Sequence, residues 1–317
     1  DLMGIATMLL NRRANCSPAQ TGIYRNLRTL VRHRKKLVVM KTEVRNRVHA
    51  VVDRLFPGFL SEKKTSITPF SNSSLYLMEN SFSAQQIRRR KHSTLVNILK
   101  RYGTAAPEGA AAKLRTYAAQ VLTTQNQYAA TLQLSLAHHI KLYRCLLDNT
   151  EQLEKEIALP LAQSQGAFLT SIKGIGIVLA AGVTAEIGSP FEQKPLNNLT
   201  SYSGIIPRVK QSGGPNAQAH TGRVSKRSNH LLKDSVVQSA FHIGRFGPKE
   251  LSLDYKRRKA AGQHADFGMG RRFLRMAMSL MKTSQIYLPA HLRTAEAKPQ
   301  ERAGYYLAVW PQLRDKW

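Results

Sequence analysis

The stretch PRVKQSGGPN, residues 207 to 216, sets one hydroxyl among cations and glycines with no acidic residue between them. Ser212 follows Arg208 and Lys210 and precedes Gly213 and Gly214, and Arg223, Lys226 and Arg227 all fall within 15 residues of it. A serine oxygen is a weak nucleophile, and its attack on a phosphodiester builds negative charge on the nonbridging oxygens. Such chemistry needs cations around the phosphorus and an exit for the hydroxyl proton. The basic residues meet the first need, and His220 lies eight residues on. Taken alone, the same chemistry also describes, and more simply, a solvated loop that touches phosphates.

A second stretch, FLTSIKGIGIVLAAGVTAEIG at residues 168 to 188, reads as a short helix, a Gly-Ile-Gly turn and a second helix of small and apolar residues. This is a helix-hairpin-helix pattern. Gly174 and Gly176 let the backbone turn tightly, the amides opening the following helix can face a phosphate, and Lys173 adds a cation beside them. A dinucleotide-binding reading fails, because the third glycine of G-x-G-x-x-G would fall on Leu179. A tight turn that binds nothing is the plainer alternative.

The elements around these motifs are helical by periodicity. Ile23, Leu27, Leu30, Leu37, Val44, Val48, Val51 and Leu55 recur by threes and fours, a narrow-seamed helix that Pro57 and Gly58 would end. Leu114, Tyr117, Val121, Tyr128, Leu132, Leu142, Leu146, Leu153 and Ile157 form a second such series across 113 to 159. An oligomerising coiled coil and an ordinary bundle both fit, since polar residues interrupt each seam. Between them lie short helices and loops with a basic cluster, Arg88 to His92. Pro160 and the SQG at 164 to 166 mark a boundary; beyond it Ser228 or Asn229 caps a helix starting SNHLLKDSVV.

With 48 Lys and Arg against 19 Asp and Glu, the 317 residues carry a formal charge of +29, well beyond what solubility asks, which points to a polyanionic partner. Nucleic acid is favoured over membrane, as no apolar run approaches the ~20 residues a span requires. Two cysteines, Cys16 and Cys145, make neither a disulfide framework nor a zinc spacing, so a reducing, cytoplasmic setting is expected. The chain opens at Asp1 without a Met, which suggests a fragment.

Five pieces in order, L-T-S-I-x-G-I-G at 169 to 176, A-E-I-G at 185 to 188, Y-S-G-I-I-P at 202 to 207, Q-S-G at 211 to 213 and S-K-R-S-N at 225 to 229, resemble the C-terminal domain of the DEDD-type insertion-sequence transposases. That family includes the Piv-type invertases and the bridge-RNA-guided recombinases, and the resemblance extends over nearly the whole chain. It implies a DNA recombinase in which Ser212 is the nucleophile. Lys173, Gly174, Gly176, Arg208, Lys210, Arg223, Lys226 and Arg227 are then expected on phosphates. It also implies a guide RNA, a homo-oligomer, and a magnesium-binding RNase H-like domain. The opening DLMGIA resembles the segment beginning at that domain's last aspartate, so Asp1 is the expected metal ligand and the other three carboxylates would precede it. Ser228 stands where the family usually has glycine.

The expectation is thus a mainly α chain with a remnant of the nuclease domain at 1–20, a helical, coiled-coil oligomerisation region at 21–165 and the serine-bearing domain at 166–317. The rival is a noncatalytic helix-hairpin-helix binding protein or a decayed transposase remnant. Ser61 and Lys64 (S-x-x-K), His138 and His139, and Arg271, Arg272 and Arg275 are weaker candidates for chemistry.

Overall fold

The computed structural model describes residues 2–11, 20–80, 82–121, 126–191, 196–210, 220–224, 228–293, 298 and 300–305. For 207–210 and 220–224 it describes the backbone. The described residues are mainly helical, as the periodicity predicts, with one antiparallel pair of strands that it does not predict. Two compact units divide the chain: residues through His33 together with those from Leu153 onward, and an inserted unit, Arg34–Gln152.

The helices run α1 (Leu2–Leu10), α2 (Gly22–Leu55), α3 (Glu62–Thr65), α4 (Asn72–Glu79), α5 (Ala84–Arg89), α6 (His92–Arg101), α7 (Pro107–Gln120) and α8 (Asn126–Ala162). After a 3₁₀ turn, Gln165–Ser171, come α9 (Ile177–Ile187) and α10 (Leu196–Ser203). The strands β1 (Pro207–Lys210) and β2 (His220–Val224) follow, then α11 (His230–Phe246), α12 (Lys249–Ala260), α13 (Ala265–Thr283) and α14 (Ala290–Arg293). The second periodic series is therefore two helices, α7 and α8, rather than one.

In the inserted unit, α2 and α8 run antiparallel. Arg45 and His49 of α2 meet the Phe70 ring at 4.6 and 5.2 Å, the same ring meets Tyr143 of α8 at 5.3 Å, and Arg54 donates to the Tyr128 hydroxyl at 3.3 Å. The position on α2 therefore rises as the position on α8 falls. Beyond the end of α2, Phe56, Phe59 and Phe82 are fully buried against one another, with Phe59 and Phe82 edge to face at 4.6 Å. Contacts of that geometry add to what area burial alone provides. The α2 seam is largely consumed within the chain: Leu27, Leu37, Val44, Val48 and Leu55 are buried, with Val52 taking the place expected of Val51. Ile23, Tyr128 and Leu142 stay exposed.

The other unit is built on α9, α11 and α13. Leu232, Val236, Ala240 and Ile243 give α11 a buried face at helical spacing, and Met269, Phe273, Ala277 and Met281 give α13 another. Small residues bring the elements close: a Cβ on Gly182 of α9 would lie 2.6 Å from Ser235 Oγ of α11. Leu27 from α2 and Ile157 and Leu161 from α8 complete this core. No helix of the described residues is long and apolar enough to cross a membrane.

Candidate functional site

Helix α9, IVLAAGVTAEI, is apolar except at its end, where the Glu186 side chain is fully buried. A carboxylate removed from water must find donors or neutralise. Arg28 and Arg32 stand four apart on α2 and so share a face. Arg32 grips Glu186 with two prongs, Nε to Oε1 at 2.8 Å and Nη2 to Oε2 at 3.0 Å, while Arg28 Nη2 reaches Oε2 at 3.0 Å. Asn229 Nδ2 donates to the same Oε2 at 2.7 Å. Burial pushes the Glu186 carboxyl up, but the hydrogen bonds from Arg32 and Asn229 and the charges of Arg28 and Arg32 outweigh it and hold the group below the usual carboxylate range.

Asn229 is also the cap of α11, its Oδ1 accepting from the Leu231 and Leu232 amides at 3.1 Å each. Its Nδ2 donates a second bond to the Tyr202 hydroxyl at 2.7 Å, and its own amide donates to the Tyr202 carbonyl at 2.9 Å. Tyr202 precedes β1 by a few residues and Asn229 follows β2 by a few. The two feet of the hairpin are therefore tied to each other and, through Glu186, to α9 and α2. Between them Pro207 pairs with Val224, Val209 with Thr221 and Lys210 with His220. The register slips by one residue between Pro207 and Val209.

This hairpin carries Arg208 and Lys210 on β1 and Arg223 on β2, which the sequence separates by up to 15 positions. Ser212, Lys226, Arg227 and Asp1 lie outside the described residues. The other expected phosphate contacts form a separate feature. Lys173 is exposed on the turn after the 3₁₀ segment, Gly174 has φ 94°, and Gly176 is the exposed first cap of α9 with open space where a Cβ would be. The element before the turn is one 3₁₀ segment rather than an α-helix. Gly174 rests on the end of α11, where an added Cβ would lie 3.0 Å from the His242 carbonyl oxygen.

The weaker candidates find structural uses or none. Lys64 sits over the Tyr117 ring at 5.4 Å, and Arg272 joins Arg257 and Arg258 on the buried Asp254. Among the described residues no three or more His, Cys, Asp or Glu gather as a metal site, His138 and His139 included. Sequence reasoning used A-E-I-G, Y-S-G-I-I-P and S-K-R-S-N as marks of resemblance but missed that Glu186, Tyr202 and Asn229 meet in space, and missed Arg28 and Arg32 altogether. The available signal was a lone carboxylate at the end of an otherwise apolar helix, which has to be paired.

Comparison with known proteins bears on this same region. Residues 166–256, which hold the glycine turn, Glu186, both strands and Asn229, match the family model described as transposase IS116/IS110/IS902 family. The chain is similar to an insertion element IS110 protein of 43.6 kDa from Streptomyces coelicolor, 30% identical over 112 residues, which is 35% of this chain and 27% of that relative. Residues 166–256 are thus similar to the IS116/IS110/IS902 transposase family, and the matched part spans only 27% of the length of the curated relative.

Proposed function

We propose that this chain belongs to a DNA recombinase that cleaves and rejoins strands through Ser212, acting as a homo-oligomer with a guide RNA. The observation that supports the serine's role is the tie between the hairpin feet. Asn229, Tyr202 and Glu186 tie the outer ends of the two strands between which Ser212 falls in sequence, and a nucleophile works only when its support holds it in place. Arg208, Lys210 and Arg223, carried on the same hairpin, and Lys226 and Arg227, which follow it in sequence, are the cations for the phosphate. In the step itself the Ser212 Oγ–P bond forms as the bond from phosphorus to a deoxyribose oxygen breaks. The serine proton departs and the leaving oxygen takes one up. The phosphoserine link keeps the ester energy, so the reverse attack rejoins DNA without a nucleotide cofactor.

Magnesium belongs to the family reading, with Asp1 as ligand, but the described residues gather no carboxylate set to hold it, and no step is routed through it. Lys173, Gly174 and Gly176 offer a second phosphate contact at the start of α9. Self-association is supported by apolar residues that α2 and α8 leave exposed, Val39, Met40, Leu134 and Leu142.

The test is Ser212→Ala in the intact gene product, with donor and target DNA and guide RNA present. Wild-type protein should leave a covalent protein–DNA adduct that survives denaturation. The variant should lose adduct and recombination while keeping its fold and DNA affinity, because a neutral hydroxyl adds little to a charge-driven interface. Recombination at the wild-type rate would show that the serine is a loop residue and favour the noncatalytic reading.

A further inference from the structure

The basic run Arg88 to His92 finds no use in the site described above and lies far outside residues 166–256. In the inserted unit it borders an open cleft of about 450 Å³ lined by Arg88 at the end of α5, His92 at the start of α6, and Ala112, Arg115, Thr116 and Ala119 along α7. No carboxylate lines the cleft, and neither Arg88 nor Arg115 makes an ion pair among the described residues. Two small alanines leave one wall of the cleft free of bulk.

The first turn of α6 sharpens the point. Its cap position is Lys91, whose side chain has no acceptor and makes no capping bond. Three arginines and a lysine thus precede the positive end of a ten-residue helix, an order that costs stability in an isolated protein because helix starts favour anions. An arrangement unfavourable on its own becomes favourable once an anion enters the cleft. The open shape and alanine wall suit a backbone phosphate with its sugar better than an enclosed small molecule.

We propose that this cleft seats backbone phosphates of a nucleic-acid strand, held by Arg88, Arg115 and His92. The inference rests on the polyanion reading of the chain and adds a contact outside the family-matched domain. RNA and DNA share the chemistry, so the test separates them.

Fluorescence anisotropy with a short labelled single-stranded RNA, the same sequence as single-stranded DNA, and duplex DNA is measured over a range of salt. The full chain is compared with Arg88→Gln/Arg115→Gln and with Lys63→Gln/Lys100→Gln, which removes the same charge from exposed positions elsewhere in the unit. Losing two phosphate contacts should lower the magnitude of the log K against log salt slope by about 1.4 to 1.8 and weaken binding roughly tenfold, while the control pair keeps its slope. Ala119→Glu, at an exposed helical position, should weaken binding independently of the arginines' part in folding. A loss confined to the RNA arm assigns the seat to RNA, and a loss shared by all arms assigns it to backbone phosphate at large. Cleft variants indistinguishable from the control pair overturn the seat. Salt-insensitive binding by the wild type overturns both the seat and the polyanion reading.

Discussion

Replacing Glu186 with glutamine is the cleanest perturbation of the hairpin support, since it changes charge and hydrogen-bonding capacity at nearly constant volume. Oε2 accepts three bonds, from Arg28, Arg32 and Asn229, and Oε1 accepts one, from Arg32 Nε. The amide will therefore turn its oxygen toward the three donors and its nitrogen toward Arg32 Nε. One charge-assisted bond becomes a clash of donors, and the remaining three lose the charge that roughly doubles their strength. Against this, the Arg28 and Arg32 side chains are 28% and 44% exposed and recover part of the loss from water. The net cost should be about 2–3 kcal/mol, below the 3–5 expected for a pair buried on both sides. Thermal unfolding followed by circular dichroism should show Tm lowered by about 4–12 °C. The pH dependence supplies the sign. Because the folded carboxyl lies below its ordinary value of 4.5, its contribution is complete above that value and is lost as pH falls through the folded pKa. The gap between wild type and variant should thus hold steady near neutrality and close in acid. A variant within a degree of wild type, or a gap unchanged in strong acid, refutes the ion-pair support.

Two further perturbations concern the glycine turn and the alkaline limit. Gly174→Ala, at φ 94° and with the His242 oxygen 3.0 Å from the new Cβ, should lower stability by about 1–3 kcal/mol in denaturant titration, whereas Gly176→Ala, at φ −92° in open space, should fold like wild type and lose affinity only if a phosphate approaches that amide. Tyr255 is held up to about 12, first by burial and then by its hydrogen bond to Asp266 at 2.7 Å. Its raised folded value means the stability it contributes is complete below pH 10 and lost toward pH 12, so the stability gap to Tyr255→Phe should shrink across that window; a constant gap would refute the assignment.

Local order was legible where it is written locally. The α2 helix, the glycine-marked turn before α9 and the Asn229 cap follow from spacing and residue type. The end of α7 at Gln120 was not, because the apolar repeat continues past it with no proline or glycine to mark the stop. The strand pair escaped notice because β1 is four residues long and holds two cations, leaving no alternating pattern to read. Within the candidate site the basic residues were visible as charge, but their support was not. Glu186 meets Arg28 and Arg32 across 158 and 154 positions, and no short window contains both sides of such a contact.

That long reach has a consequence for how the molecule is made. The inserted unit, Arg34–Gln152, is complete on the growing chain before either α9 or the hairpin has been synthesised, and it can fold as its own segment emerges. Arg28 and Arg32 must wait, charged and unmatched, until residue 186 and then residue 229 leave the ribosome. Closure at so great a separation is slow, because the entropy of bringing the ends together precedes any return from the contact. The strand pair is therefore among the later parts to be held in place. A chain cut short before Asn229 would carry the inserted unit whole but leave Arg28, Arg32 and Glu186 without the Asn229 link to the strand pair.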